Sequence, residues 1–419
     1  SLARSFILAP LIFLNTIIRL FSKNGKALAK DYIAKRFPIK HDLIPINSEL
    51  LKYLTEMKKK GYVLILSTGA AKEHALKQAN RFSIFDDVIA TEKSQNNVGK
   101  QKLVALRARF GSDYIYAGDN KIDSLIWNDC KHAIVVSNKI FKSLKISEDV
   151  KIIKHFKTKS FGLRDFIRLF RVHQWSKNFL VFVPSIAGAS LFSQELIGFN
   201  IMIFIAFCLV ASTIYILNDI TDIENDRCHY EKKHRPIASG EASITHSLMC
   251  ALILGVIGLT ISFLVSISFF FIILIYIVSN FLYSVYLKRI FLVDVLFLAS
   301  FYSLRVFSGF LNEFIEFSIW LMLFSPFVFL SLSFLKRYVD VVYAEYHSDD
   351  TLLGRSYSAR DRKKLYFWGI SAAIVSFLIL VIFPFTRRVD LVYAEPFYLM
   401  FLGPILLTWI TRLWYMASK

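Results

Sequence analysis

The sequence predicts two domains: an α/β domain with a doubly wound parallel sheet, then an all-α domain that crosses a membrane several times. Three observations lead to this prediction. Apolar strand-like runs alternate with helical patterns over the first 160 residues. Apolar runs of bilayer length recur from about residue 176 onward, and 55% of the 419 residues are hydrophobic. Such a composition is too apolar for a soluble protein. We predict that the first domain covers residues 1–160 and the second covers residues 161–419.

The first domain alternates helix and strand. The run Tyr62–Ser67 is continuously apolar, which is typical of a buried parallel strand. Further strands are predicted at 87–90, 113–117 and 133–136, between helices at 48–60, 70–82, 100–110 and 124–130. Ligands bind at the carboxyl ends of such strands, so polar residues there are candidate site residues.

Polar residues follow three of these strands in an order that resembles the haloacid dehalogenase (HAD) superfamily of phosphohydrolases. The resemblance implies that a hydroxyl and a lysine hold a phosphoryl group, and that two carboxylates hold Mg²⁺. The matching residues are Ser67 or Thr68, Lys102 with Lys100 as the alternative, Asp119 and Asp123.

The same family uses a nucleophilic aspartate in an Asp-x-Asp motif on an earlier strand. No such motif occurs between Ser1 and Ile46. Because the chain begins with Ser rather than Met, we expect the motif in residues before Ser1. The alternative is a catalytically inactive, regulatory domain.

The second domain contains eight predicted spans, each rich in Phe, Ile and Leu. Continuous apolar runs in a bilayer form helices. Lys and Arg concentrate in the connections 218–246 and 336–364 and at the turn near 288, and only Arg387 and Arg388 break this asymmetry. The basic loops and the first domain are therefore predicted to be cytoplasmic. The spans lie at 176–193, 198–217, 247–267, 269–286, 291–311, 317–335, 365–385 and 396–412.

The formal net charge of +19 has two interpretations. Cytoplasmic loops of membrane proteins collect Lys and Arg, and anionic ligands such as phosphates also need cations. Nucleic acid is not expected as a partner, because the basic residues are spread over membrane-flanking loops. The four Cys form no Cys-x-x-Cys pair, so neither a disulfide framework nor a zinc site is expected.

The second predicted span ends in an acidic cluster. Asp219, Asp222 and Asp226 are spaced three and four residues apart, which on a helix places them on one face, and Asn218 precedes them. Massed carboxylates repel unless a cation is present, and Mg²⁺ suits several oxygens plus a phosphate ligand. The alternative is a solvated, charged helix end. Three basic residues follow that suit phosphate oxygens: Arg227, Lys232 and Arg235.

The run NDITDIENDRCHYEKKHRPIASG, residues 218–240, resembles the NDxxDxxxD signature of the UbiA superfamily of membrane prenyltransferases. The likeness extends from about Arg171 to the end of the chain. It implies a helical bundle of nine spans, so we expect a ninth after Lys419. It also implies that the acids hold Mg²⁺ on a pyrophosphate, while the basic residues contact its oxygens.

Three further stretches resemble the branch that makes decaprenyl-phosphate phosphoribose: 171–178, 283–288 leading to Asp294, and 335–340 leading to Glu345 and Arg355. In that branch phosphoribosyl pyrophosphate is the electrophile and polyprenyl phosphate the nucleophile. Asp340 could be a metal ligand or the partner of Arg337. Lys177 with Gln174 could instead be interfacial, and Lys288 a positive-inside turn. The candidate substrate-binding residues are Gln174, Lys177, Arg227, Lys232, Arg235, Tyr283, Lys288, Lys336, Arg337 and Asp340.

These resemblances imply a phosphoribosyltransferase of the cell envelope, in a bacterial inner membrane, whose HAD-like domain removes the 5-phosphate. The product would be polyprenyl-phosphate ribose, a lipid-linked donor for glycan assembly. One alternative is a UbiA-type prenyltransferase that uses polyprenyl diphosphate as the electrophile. Another is a non-enzymatic anion transporter, which the acids disfavour because they lie at the membrane edge and no inverted repeat is evident.

Overall fold

A computed structural model divides the chain into two compact units. Unit 1 contains residues 1–166 and 219–244, and unit 2 contains residues 167–218 and 245–419. The boundary after 166 lies near the predicted one, but the connection 219–244 belongs to unit 1, which the sequence did not indicate. The structure describes residues 9–22, 24–37, 39–93, 95–130, 132–137, 144–158, 161–188, 194–312, 315–346, 357–386, 389, 393 and 395–418.

Unit 1 combines short parallel sheets with helices. Its helices are α1 (Pro10–Leu20), α2 (Gly25–Arg36), α3 (Ser48–Lys59), α4 (Lys72–Phe82), α5 (Lys100–Phe110), α6 (Ser124–Cys130), α7 (Leu163–Leu169, shared with unit 2) and α10 (Ile223–Cys228). Its strands are β1 (Ile65–Ala71), β2 (Asp87–Thr91), β3 (Tyr116–Gly118), β4 (His132–Val136) and β5 (Lys151–Phe156). The four predicted strands are present, and β5 is an additional one.

The strands of unit 1 form two sheets where a single sheet was predicted. β1 pairs with β2, and β3, β4 and β5 pair in that order, all of them parallel. Alternation of strands and helices predicts parallel strands but does not determine which strands pair, and this explains the difference. A buried core of Tyr116, Ile126, Trp127 and Val135 packs β3 and β4 against α6.

Unit 2 is helical. Its helices are α8 (Val183–Ala187), α9 (Gln194–Thr221, shared with unit 1), α11 (Ile244–Val265), α12 (Ile267–Val285), α13 (Val293–Gly309), α14 (Ile319–Tyr346), α15 (Arg362–Ile382) and α16 (Leu402–Ser418), with a 3₁₀ helix at Val172–Phe182. Within the described residues, six helical segments are long and apolar enough to cross a bilayer: Leu196–Thr221, Ile244–Val265, Ile267–Val285, Ile319–Glu345, Ala359–Phe385 and Phe397–Ser418. The chain is therefore an integral membrane protein.

The prediction of eight spans is not confirmed. The first predicted span, 176–193, consists of the 3₁₀ helix and the short α8, and its residues 189–193 lie outside the described part. The fifth corresponds to α13, whose 17 residues extend only about 25 Å. Hydropathy counts apolar residues and does not detect the hydrogen-bonding pattern or the proline that shortens a helix, here Pro184 at the start of α8.

Close packing holds α15 against α16. A Cβ atom on Gly369 would overlap the indole ring of Trp414, so no larger residue fits at this crossing without movement. The indole Nε1 of Trp414 donates a hydrogen bond to Ser331 Oγ on α14 at 3.2 Å. The three helices thereby share one buried contact.

Candidate active site

The acidic cluster lies where α9 ends. The sequence predicted that the three aspartates share one helix face. Helix α9 ends at Thr221 and α10 begins at Ile223, so this prediction of a continuous helix is wrong. Asp222 occupies the residue between the two helices. Asp219 and Asp226 nevertheless come together and are almost fully buried, at 3% and 4% exposure.

A single guanidinium joins the two buried aspartates. Arg235 Nη1 lies 3.1 Å from Asp219 Oδ1 and 2.6 Å from Asp226 Oδ2. Burial raises the pKa of Asp226, and the charges of Arg235 and Lys232 oppose that shift. The cluster is therefore a pair of desolvated carboxylates that require positive charge, and in this structure Arg235 supplies it.

The neighbouring loop fixes several other predicted residues. Arg227 Nε donates a hydrogen bond to the carbonyl oxygen of Ala238 at 2.9 Å. His229 Nδ1 accepts one from the backbone N–H of Glu231 at 3.2 Å, and burial lowers the pKa of His229. His229 thus supports the turn as a neutral side chain. Lys232, in the short 3₁₀ helix Lys232–His234, is half-buried.

The donor set suits a hard divalent cation only in part. Across the part of the chain that the structure describes, no three His, Cys, Asp or Glu side chains lie close enough to hold a metal ion. In this structure Arg235 lies between Asp219 and Asp226, the two buried acids of the predicted Mg²⁺ site. Two carboxylates do suffice for Mg²⁺, which keeps several waters and binds one or two protein carboxylates together with substrate phosphates.

Unit 2 contains a second polar cluster, centred on Arg337. Its Nε lies 2.6 Å from Asp294 Oδ2, its Nη1 lies 2.6 Å from Asp340 Oδ2, and its Nη2 donates to Tyr283 Oη at 3.1 Å. Tyr357 Oη donates to Asp294 Oδ1 at 2.9 Å. Arg337 is fully buried, its Nη1 and Nη2 donate hydrogen bonds to Asp340 and Tyr283, and its Nε forms an ion pair with Asp294. Of the two roles considered for Asp340, the geometry matches the partner of Arg337.

The remaining predicted residues of unit 2 have separate surroundings. Asn218 Oδ1 accepts a hydrogen bond from Ser284 Oγ at 2.8 Å. Gln174 Nε2 lies 3.0 Å from a ring nitrogen of His173. Lys288 lies in the 3₁₀ turn Leu287–Arg289, and Lys336 is exposed beside the buried Arg337. Lys177 Nζ lies 5.8 Å from the ring centroid of Tyr302.

In unit 1, β3 and α5 bring Lys102 and Asp123 together. Lys102 Nζ lies 2.9 Å from Tyr116 Oη and 3.9 Å from Asp123 Oδ1, whereas Lys100 is exposed. The second carboxylate oxygen of Asp123 accepts from the backbone N–H groups of Asp119 and Asn120, at 3.3 and 3.1 Å. These bonds give Asp123 a local structural role and leave Asp119 as the better candidate for a metal ligand.

The two hydroxyl candidates on β1 differ. Thr68 Oγ1 accepts a hydrogen bond from the N–H of Ala70 at 3.2 Å. Ser67 Oγ is buried and has no hydrogen-bond partner among the described residues. A buried hydroxyl without a partner is costly, so Ser67 is the candidate with capacity for a ligand.

Two charged residues near these clusters were not predicted from the sequence. Lys30 Nζ donates to the carbonyl oxygen of Gly69, at the end of β1, and to Asn96 Oδ1, at 2.6 and 2.7 Å. Arg305 is 3% exposed within α13. A cation inside an apolar run signals function, so Arg305 could have been found. Lys30 is one of several basic residues in a mixed polar helix and gives no such signal.

The chain is similar to several known proteins. The model of the UbiA prenyltransferase family matches residues 181–419. The chain is 29% identical over 422 residues to the uncharacterized protein y4nM of Sinorhizobium fredii, covering all of this chain and 81% of that protein. It is 33% identical over 183 residues to the decaprenyl-phosphate phosphoribosyltransferase of Corynebacterium glutamicum, which is 43% of this chain and 55% of that enzyme.

Among solved structures, a UbiA homolog from Archaeoglobus fulgidus bound to GPP and Mg²⁺ is similar, with a TM-score of 0.48 and 14% identity. The alignment covers 60% of this chain and 86% of the archaeal one. The sequence match to the Corynebacterium enzyme covers little more than half of the length of that enzyme.

Proposed function

The chain belongs to the UbiA prenyltransferase family, and from that premise we propose that it transfers the 5-phosphoribosyl group of phosphoribosyl pyrophosphate to a polyprenyl phosphate. The observation that carries this proposal is the pairing of Asp219 and Asp226 on Arg235, directly after a membrane span. Similarity to decaprenyl-phosphate phosphoribosyltransferases supports the choice of substrates.

In the proposed reaction, a phosphate oxygen of the lipid forms a bond to C1 of the ribose, and the bond from C1 to the diphosphate breaks. The diphosphate leaves with the electron pair of that bond. Asp219 and Asp226 would hold Mg²⁺, which supplies charge neutralisation for the leaving group when bound. Arg235 would then move from the carboxylates to diphosphate oxygens, with Lys232 beside it. The lipid phosphate is already ionised, so no general base is required.

The cluster around Arg337 supports one diphosphate substrate rather than two. A second aspartate-rich metal site would require free carboxylates in unit 2, and Asp294 and Asp340 are both paired with Arg337. This pairing favours a monophosphate as the second substrate. The alternative remains a UbiA-type prenyltransferase that uses a polyprenyl diphosphate, as the similarity to digeranylgeranylglyceryl phosphate synthases allows.

For unit 1 we propose a phosphatase that removes the 5-phosphate from the transferase product. One support is the Ser67 hydroxyl, which is buried and has no hydrogen-bond partner in the described part of the chain. The other is Lys102: burial lowers its pKa, and the charges of Asp123 and Asp119 oppose that shift. A buried hydroxyl and ammonium suit phosphoryl oxygens. The HAD resemblance still requires an Asp-x-Asp nucleophile, and residues 1–46 contain none.

Membranes that carry the protein provide the test. They would be incubated with ribose-labelled phosphoribosyl pyrophosphate, Mg²⁺ and a polyprenyl phosphate, then extracted with organic solvent. We expect label in the lipid phase for wild type and for Glu231→Gln, an exposed acid of the same loop, but not for Asp219→Asn. Loss of the 5-phosphate in wild type, but not in Asp119→Asn, would support the phosphatase. Product formed only from polyprenyl diphosphate would favour the prenyltransferase alternative.

A further inference from the structure

Helix α1 of unit 1, with Phe21 directly after it, exposes an apolar stripe. The stripe consists of Leu11, Leu14, Ile18 and Phe21, which are 75%, 55%, 58% and 88% exposed. Their spacing of three, four and three residues places them on one face of a helix. A single exposed leucine is ordinary on a protein surface, but a contiguous apolar patch marks an interaction surface.

The opposite face of α1 is covered by protein. Helix α1 packs on α2, where Thr16 is buried and Ile12 and Ile17 are half-buried. The turn between the two helices is tight, because a Cβ atom on Gly25 would overlap the carbonyl oxygen of Leu20. The helix is thus apolar on its covered face and on its exposed face. This distribution is typical of helices that are buried in protein or in lipid.

The helix is too short to cross a bilayer. Its 11 residues extend about 16 Å, whereas the hydrocarbon core is about 30 Å thick. An apolar helix of this length suits the interfacial layer, where it lies in the plane of the membrane with one face in the lipid. A contact along the membrane surface is therefore the geometry that α1 allows.

Basic residues flank the apolar stripe. The α1–α2 hairpin, residues 10–36, contains six Lys or Arg and a single acid, Asp31, so its net charge is +5. The guanidinium groups of Arg19 and Arg36 lie 4.1 and 4.2 Å from the ring centroid of Tyr32. Basic segments are attracted to the anionic surface of a membrane. Apolar side chains beside surplus positive charge match an anionic bilayer better than the apolar surface of a partner protein.

Unit 1 is held at a membrane surface by its own chain. Its residues 219–244 connect two of the apolar spans, of which one ends at Thr221 and the next begins at Ile244. Such a link gives a surface of unit 1 a high effective concentration at the bilayer. Even a weak contact between α1 and lipid would therefore be populated.

We propose that the apolar stripe of α1 is a membrane contact, which enters the interfacial layer of an anionic bilayer. The contact also constrains the sheet, because Lys30 Nζ on α2 donates to the carbonyl oxygen of Gly69 in β1 at 2.6 Å. It thus holds the carboxyl end of β1, where Ser67 lies, near the membrane surface. A phosphatase site at this end would act on a phosphate that a lipid carries. That last step rests on the proposed function of unit 1, whereas the contact itself does not.

Fluorescence of the full chain in lipid nanodiscs would measure the contact. The nanodiscs contain phosphatidylcholine, either alone or mixed equally with phosphatidylglycerol. A cysteine introduced by Leu14→Cys is labelled with an environment-sensitive fluorophore, after Cys228→Ser and Cys250→Ser remove the less buried native thiols. We expect a blue-shifted emission that a spin-labelled lipid quenches, and a larger shift with phosphatidylglycerol. High salt should remove the additional shift, because it screens the charges.

Val104→Cys is the matched control. Val104 on α5 is 62% exposed, but the exposed neighbours on its helix face are the polar residues Gln101 and Arg107. Its label should emit as in water in both kinds of nanodisc. If the label of Leu14→Cys also emits as in water, the inference is wrong. A blue shift without quenching by the spin-labelled lipid would overturn it as well, because protein rather than lipid would then cover the stripe.

Hydrogen exchange of the unlabelled wild-type chain excludes an effect of the label. The amides of residues 10–21 should exchange more slowly with phosphatidylglycerol than with phosphatidylcholine alone, whereas those of α5 should not change. Lys26→Gln, at an exposed position of α2, should reduce this difference. Equal exchange of α1 in the two lipids would contradict the proposed contact. Because neither measurement requires turnover, failure of the proposed reactions would not be mistaken for failure of the contact.

Discussion

Arg337 Nε lies 2.6 Å from Asp294 Oδ2, and both side chains are completely excluded from solvent. The adjacent Lys336 is exposed. Arg337 therefore holds α13 to α14 through Asp294, whereas Lys336 stays a proposed substrate-binding residue. The sequence had grouped both as substrate-binding residues.

The first prediction follows from this difference. Arg337→Met should destabilise the protein by about 3–5 kcal/mol, because it leaves Asp294 as a buried charge without its partner. Thermal or denaturant unfolding in detergent would measure the loss. The double variant Asp294→Asn with Arg337→Met should recover part of it. Lys336→Met should unfold like wild type but lose lipid labelling. If Lys336→Met and Arg337→Met destabilised the protein equally, the structural role assigned to Arg337 would be wrong.

The second prediction concerns the acidic cluster. Asp219→Asn and Asp226→Asn should each lower the rate of lipid labelling at least about 100-fold, because each removes a charge that the proposed leaving-group site requires. Initial rates at saturating substrate would measure this effect. Glu231→Gln in the same loop should retain the wild-type rate. An Asp226→Asn variant with full activity would show that the reaction does not require the charge of this carboxylate.

The third prediction concerns Arg235. Arg235→Gln leaves Asp219 and Asp226 close together without the guanidinium that joins them, so the variant should melt at a lower temperature than wild type in EDTA. Mg²⁺ should restore more stability to the variant than to wild type, because binding to the folded state stabilises by mass action. Melting curves with increasing Mg²⁺ would measure both. Lys233→Gln, at an exposed position, should show the wild-type response.

The fourth prediction concerns two histidines of unit 1. His41 Nε2 lies 3.0 Å from His74 Nδ1, and burial lowers the pKa of both. The unfolded chain then binds more protons than the folded one below about pH 6.5, where unfolded histidine titrates. Stability should be complete above this pH and should fall as the pH decreases, by up to about 1.4 kcal/mol per pH unit for each proton.

Hydrogen exchange of the 39–46 and 72–82 segments between pH 7.5 and 5.5, corrected for the intrinsic exchange rate, would measure this stability. His74→Gln should flatten the pH dependence. His246→Gln, an exposed histidine of unit 2, should leave it unchanged. A wild-type profile that stays flat would mean that the pair does not titrate on folding.

Several features of this protein were accessible from sequence because they depend on local pattern. The helices α11 and α12 begin and end within a few residues of the predicted spans, since apolar runs of this length have few other solutions in a bilayer. The acidic cluster was identified from its spacing, although the helix break at Asp222 was not. That break depends on a turn that spacing does not encode.

Other features depend on contacts between distant residues. Nothing in the stretch around Arg337 indicates that Asp294, 43 positions earlier, would bind it rather than a substrate. The same limit applies to Asp123, whose carboxylate is used by Tyr116 and by the backbone N–H groups of Asp119 and Asn120. Sequence patterns identify which groups can bind phosphate, but tertiary contacts decide which of them are available to do so.

The division of unit 1 into residues 1–166 and 219–244 has a practical consequence for expression. A fragment ended at residue 160, where composition changes, would lack the second of these segments. It would lose the packing of α10 against residues 41–43 and the bond from the N–H of Lys40 to Glu224 Oε1. We expect such a fragment to be poorly soluble, and a fusion that joins 219–244 to it through a short flexible linker to behave better.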